Sequence, residues 1–185
     1  VAQLKLQHVR PETARERQDP LRECYQYSPE DAKITDRART TGGVATDPFH
    51  GTIIPGSGGY GLSLNFGIHR AMGGDNDAPN PGDLLCAALA ACLDSSIRVI
   101  AERLEVTLES LEVKVEADLD VRGTLQVDPT VPVGFQAMRC EVNLEPAEGS
   151  DPESVEKLFD AAEHSCVNLA TLRNGVPVET TLNIC

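Results

Sequence analysis

The six cysteines, Cys24, Cys86, Cys92, Cys140, Cys166 and Cys185, are the side chains of this sequence best suited to covalent chemistry. Two of them lie in the run LLCAALAACLDSS, residues 84–96. A pair of thiols within reach of each other supports redox chemistry: one is oxidised to a sulfenic acid, and the other condenses with it before overoxidation. Cys86 and Cys92 cannot be that pair, because six residues along a helix place them about 120° apart around the axis. Cys86 lines up with Ala90, Leu93 and Ile97 and reads as core packing, the usual fate of a free cysteine. Cys92 has Ala88 one turn before it and Ser96 one turn after, a groove of small residues that a ligand could enter. A packed thiol is the plain alternative. What favours chemistry is a second helical stripe, Val155, Leu158, Phe159, Ala162, Cys166 and Leu169, which presents Cys166 from its buried face. Two packed helices can bring such sulfurs within disulfide reach. The four histidines, at 8, 50, 69 and 164, have no H-x-x-x-H spacing and no C-x-x-C is present, so no structural zinc site is expected.

The elements that must carry these residues can be read from capping and periodicity. Asn80, Pro81 and Asp83 form a helix start, with an N-cap, a preset first-turn φ and an acid at the positive end of the dipole. The helix they open should run from 81 to about 104, and its first half is apolar almost all round, which predicts burial on most sides. LESLEVKVEADLDVRGTLQV alternates Leu111, Val113, Val115, Ala117, Leu119 and Val121 against charged residues. FQAMRCEVNLEP does the same with Met138, Cys140, Val142 and Leu144. The two read as antiparallel neighbours joined by the turn DPTVPVG, each with one wet face. Ser150 and Glu153 have capping-box spacing for a second helix, Gly175 ends the helical region, and VPVETTLNI is a last strand. Leu62, Leu64 and Phe66 alternate as in a short strand, and residues 20–39 hold one or two short helices, the second starting at Pro29.

Composition bounds the function. In 185 residues, 16 Lys and Arg stand against 29 Asp and Glu, a net charge of -13 without a basic block, so nucleic acid and anionic membrane are not expected partners. The longest wholly apolar stretch, Leu84–Leu93, is about half of a bilayer crossing. No signal segment opens the sequence, and the cysteines are widely spread, so reduced thiols and a cytoplasmic location are expected. Residues 1–45, polar and punctuated by Pro11, Pro20 and Pro29, read as an N-terminal arm before a domain at 46–185.

NPGDLLCAALAACLDSSIRVIAERLEVTLESLEVKVEADL and AEHSCVNLATLRNGVPVETTL together resemble the OsmC/Ohr family of thiol-dependent organic hydroperoxide reductases. The first looks like the family's Asn-Pro-Glu-led helix with its Ala-Ala-Cys, the second like its Ala-Glu-x-x-Cys-Pro segment, and the likeness covers roughly residues 50–183. It implies an α+β fold in which curved antiparallel sheets surround long central helices, in an intertwined homodimer with two sites at the subunit interface. It also implies that Cys92 is the peroxidatic thiol and Cys166 the resolving one. The substrate would be an organic hydroperoxide and the reductant a dithiol such as a lipoyl group, with no metal or bound cofactor.

The sequence departs from that pattern in ways that matter physically. Val44 stands where an arginine follows Gly-Gly in typical members, Gly82 where the glutamate is found, and Val167 where a proline follows the second cysteine. Asp83, one residue on from the glutamate position, is turned about 100° away. Cys92 lies about three turns into its helix, beyond the reach of that helix's own dipole. If the peroxidase reading holds, a positive group must stand in, and Arg39, Arg70 and His69 are the candidates. Arg98 should instead pair with Asp94, one turn earlier, and His164 should point away from Cys166. A second reading follows from the same departures: an OsmC-like binding protein that keeps the pocket and holds a small apolar or thiol-reactive ligand.

Overall fold

The computed structural model describes residues 13–41, 46–56 and 60–184. In chain order its elements are α1 (Ala14–Tyr27), β1 (Ala38–Thr40), β2 (Gly51–Pro55), β3 (Leu64–Phe66), α2 (Pro81–Arg103), β4 (Leu108–Asp118), the single turn α3 (Val121–Thr124), β5 (Ala137–Pro146), α4 (Pro152–Ser165) and α5 (Val167–Asn174). The fold class is α+β, as expected: two antiparallel sheets, β1-β2-β3 and β4-β5, with the helices on separate segments. Val44 and Cys185 lie outside the described residues.

α2 begins where the capping residues place it. The Asn80 side-chain oxygen accepts from the Gly82 and Asp83 N–H groups at 2.8 and 3.2 Å. Asp83 accepts in return from the Asn80 N–H at 2.9 Å, which completes a capping box. Leu89, Leu93, Ile97 and Ala101, one turn apart, are its buried residues. They close the core with Val106, with Leu158 and Ala162 of α4, with Cys166, and with Leu169 of α5. Leu111, Val113, Val115, Met138, Val142 and Leu144 cover them from the inner face of the β4-β5 sheet. Within one chain, therefore, α2 is buried on one stripe and not on most sides. Leu85 is 38% exposed, and Ala87, Ala88 and Ala91 are also open to solvent. By length and composition α2 could cross a membrane; here Asp83, Asp94 and Arg98 interrupt it and its apolar stripe is the core of the domain.

β4 and β5 pair antiparallel, as expected, with Val113 opposite Val142 and Val115 opposite Cys140. On the wet face Glu116 lies opposite Arg139, which pairs with it at 3.1 Å and also with Asp118. The first strand stops at Asp118, short of the expected Val121. The Asp120 carboxylate accepts from the Arg122 N–H at 3.0 Å and starts α3 instead. A Cβ at Gly123 would fall 2.5 Å from the Pro132 carbonyl oxygen, so the backbone of α3 lies directly on the loop and the connection is folded rather than a simple turn.

Three further expectations change. The cap of α4 is Asp151, whose carboxylate accepts from the Ser154 N–H at 3.0 Å, while the Ser150 hydroxyl donates to the Ala147 carbonyl. The second helix is broken: Cys166 is extended, at φ -75° and ψ 106°, and separates α4 from α5. No glycine or proline marks the break; the Ser165 hydroxyl donates to the Ala161 carbonyl at 2.8 Å, a back-bond that bends helices. Residues 176–184 form no strand, because within the described residues no ladder partner pairs with them. Strands β1 and β2, by contrast, had no alternation to reveal them, and β1 falls within the segment read as an arm.

The β1-β2-β3 sheet is tied to the approach to α2 by His50. Its Nδ1 lies 2.9 Å from Asp47 and its Nε2 3.2 Å from Asp77. The Asp47 bond first, and the Asp77 bond second, raise the His50 pKa above its ordinary 6.5. Because the folded value is the higher one, this clip contributes stability below the unfolded pKa and loses it as pH rises through the folded value. In an NMR titration the His50 midpoint should therefore lie above 6.5, and Asp77→Asn should lower it. The stability difference between wild type and His50→Gln, measured by urea denaturation, should be largest in mild acid and vanish at alkaline pH.

Candidate thiol site between the central helix and the helix break

Cys92 and Cys166 are brought together. Cys92 projects from the third turn of α2, half-buried, and its Sγ accepts a hydrogen bond from the Asn168 backbone N–H at 3.4 Å. Cys166, at the break between α4 and α5, is fully buried in the core cluster against which Cys92 packs. Burial pushes the Cys166 thiol up; the N–H groups of Leu169 and Asn168 pull it down, and Cys92 pushes it up again, for a net rise. Cys166 is therefore a protonated thiol at neutral pH. One cysteine is half-buried and the other is sealed in the core.

The other candidates lie elsewhere. His69 Nδ1 accepts from the Ala71 N–H at 3.0 Å and caps the short 3-10 turn Arg70–Met72. Arg70 is exposed on that turn, and Arg39 is exposed on β1 opposite Ile54. None of the three is hydrogen-bonded or ion-paired to either sulfur among the described contacts. Arg98 is held by Asp94 through two bonds, of 2.7 and 3.2 Å, and His164 is exposed, as the spacing predicted.

Cys86 is not part of the sealed core. It is half-buried and lines a cavity of about 1010 Å³ together with His69, Met72 and Phe135. Burial is the main reason that its pKa is raised, with Asp83 and Cys140 adding to it. A second cavity, of about 560 Å³, lies on the other side of Phe135 and is bounded by Cys140, Glu163 and Arg173. Glu163 and Arg173 are paired there at 2.8 Å. Neither cavity is lined by Cys92 or Cys166.

Phe135 also explains what Gly82 does. A Cβ on Gly82 would come within 3.0 Å of the Phe135 ring and 2.9 Å of the Asn80 side-chain oxygen, so the ring and the cap fill the space that a side chain would need. Asp83 is committed to Asn80 and offers nothing to Cys92. Sequence reasoning missed Phe135 and Asn168. The first heads the segment read as a strand, out of phase with its inward residues, and lies in the loop before β5; the second matters only because the helix breaks at Cys166.

The family described as OsmC-like protein matches residues 74–181, more than half of the chain. Among curated proteins, an uncharacterized protein of Acinetobacter baylyi is 27% identical over 119 residues, covering 64% of this chain and 76% of its own. Among solved structures, an organic hydroperoxide resistance protein OsmC from Legionella pneumophila is 25% identical with a TM-score of 0.56, over 76% of this chain and 90% of that one. An organic hydroperoxide resistance protein from Elizabethkingia anophelis shares the fold at 22% identity and a TM-score of 0.55, over 77% and 91% of the two chains. So does an OsmC like protein from Mycoplasma pneumoniae, at 13% identity and a TM-score of 0.60, over 77% and 90%.

The burial of the thiols predicts their order of modification. Under native conditions iodoacetamide should label Cys24, exposed on α1, first, Cys92 more slowly and Cys166 last. Peptide mass spectrometry over a time course reads this order, and denaturant should abolish it.

Proposed function

Because the chain belongs to the OsmC-like protein family, we propose that it reduces organic hydroperoxides with the Cys92–Cys166 pair. The observation that carries this reading is that Cys92, half-buried, packs against the core cluster in which Cys166 is fully buried. The Cys92 thiolate attacks the distal oxygen of ROOH, the O–O bond breaks, and RO⁻ takes up a proton to leave as the alcohol. Cys92 is then a sulfenic acid. The Cys166 sulfur attacks it, a disulfide forms, and the hydroxyl leaves as water with the Cys166 proton. A dithiol, such as a lipoyl group, returns the pair to thiols and is itself oxidised. The raised pKa of Cys166 suits a resolving group that stays a thiol until a sulfenic acid lies beside it. The described cysteines are all free, which fits the reducing cytoplasm where we place the protein.

We place the reaction in a homodimer. One chain leaves apolar surface of α2 uncovered and ends in VPVETTLNI, which alternates like a strand yet exposes Val178 and Leu182 by 80 and 81%. An unpaired alternating segment and unpaired sheet edges in the same chain favour exchange between two copies. A second reading, a binding protein, is favoured by the cavity of about 1010 Å³ that lies apart from the thiol pair.

Cys92→Ser should abolish turnover of cumene hydroperoxide with a dithiol reductant, and Cys86→Ser should keep most of it. Cys166→Ser should leave Cys92 open to sulfinic oxidation, visible by mass spectrometry. Wild-type protein without turnover would decide for the binding reading. Sedimentation should give a dimer at micromolar concentration, and deletion of residues 176–185 should shift it toward monomer.

A further inference from the structure

Cys92 lies too deep in α2 to use that helix's dipole, and no arginine, lysine or histidine is bonded to it among the described residues, so its surroundings must be read for another way of holding a thiolate. Asn168 is the second residue of α5, an eight-residue helix. First-turn N–H groups have no acceptor within their own helix. The residue that caps α5, Cys166, makes no side-chain cap hydrogen bond. The Asn168 N–H, which also acts on the Cys166 thiol, is hydrogen-bonded to the Cys92 sulfur at 3.4 Å. The Asn168 side chain grips the same turn of α2 from the other end, where its Nδ2 donates to the Ala88 carbonyl at 2.8 Å. Ala88 is the residue whose carbonyl accepts from the Cys92 N–H in the α-helical i to i+4 pattern. One residue thus holds both the sulfur of Cys92 and the backbone one turn before it.

We infer that Asn168 is a positioning residue for Cys92, its side chain locking the first turn of α5 against α2 so that a backbone N–H points at the sulfur. This rests on Cys92 being the reactive thiol, as proposed above. The geometry fixes the place of the sulfur: the N–H of the first turn of α5 meets Cys92 Sγ at hydrogen-bond distance. It also limits the rotation of the Cys92 side chain, which keeps the sulfur beside Cys166. Loss of the side-chain amide leaves the N–H in place but frees α5 to move from it, so the effect should appear in reactivity before it appears in folding.

The test uses the full chain and reads the reactivity of Cys92 directly. Alkylation of Cys92 by iodoacetamide at neutral pH is followed by peptide mass spectrometry, with exposed Cys24 as the internal reference. Asn168→Ala should slow Cys92 alkylation by at least about threefold, with Cys24 unchanged. Asn168→Asp, which keeps the size and loses the donor, should slow it further. Asn168→Gln, which restores an amide, should recover part of the rate. The inference is overturned if the Cys92 alkylation rates of the alanine and aspartate variants coincide with wild type, or if Asn168→Gln restores the melting temperature without restoring any of the rate. Should the alanine variant fail to fold, the aspartate variant carries the comparison. Absent hydroperoxide turnover in wild type would sink the proposed reaction and leave this alkylation comparison standing, so the two failures are separable.

Discussion

The seam in which Leu89, Leu93 and Ile97 of α2 meet Leu158 and Ala162 of α4 is what the rest of this molecule is registered on, since all five are essentially removed from solvent. Burying each of the larger side chains contributes about 1.5–3 kcal/mol, whereas the exposed ion pairs that decorate the sheet and α1 contribute little. With that seam closed, two consequences follow without further design. The inner face of β4-β5 can cover the stripe only with its alternating Leu and Val residues turned inward. Cys92, three residues on from Leu89, is carried to the flank of the stripe, beside the point where the second helix breaks.

The break is as consequential as the seam. A continuous second helix would satisfy its own backbone N–H groups throughout and would bury Cys166 as one more apolar residue. Interrupting it at Cys166 creates a helix start at the edge of the core, where first-turn N–H groups lack acceptors in their own helix, and here a sulfur accepts one of them. The sealed position of Cys166 and the donor on Cys92 are two results of one local event. They also bear on the departures from the family pattern: with Phe135 filling the space beside Gly82 and Asp83 bound to Asn80, the start of α2 offers Cys92 no side chain among the described residues, whereas α5 offers it a backbone N–H.

The single chain leaves work undone at its margins. α1 has no buried residue and is held to the end of α2 by polar contacts, with the Arg15 side chain donating to the Arg103 carbonyl and the Ala14 N–H to Glu102. The β1-β2-β3 sheet is exposed or half-buried throughout, and the alternating C-terminal segment lies open. Surfaces of this kind in one chain, beside a core that is already closed, are what an exchanged dimer would cover.

What the sequence determined by itself was whatever depends on near neighbours. Asn80, Pro81 and Asp83 start a helix because a cap acts within four residues. Leu111 to Ala117 and Met138 to Leu144 make a sheet with one wet face because strand side chains alternate. Asp94 holds Arg98 because one helical turn brings them together. Two cysteines in register with a known family pattern marked the candidate site. Only the tertiary structure decided the rest. The helix break at Cys166 carries no glycine or proline to announce it, Asn168 becomes a partner of Cys92 only across two elements 76 residues apart, and Phe135 reaches Gly82 from a loop. VPVETTLNI has the pattern of a strand and none of the pairing, since alternation is a property of one segment and a ladder is a property of two. The local rules say what a segment can be; the contacts that turn a buried thiol into part of a site are made at long range, where no spacing in the chain records them.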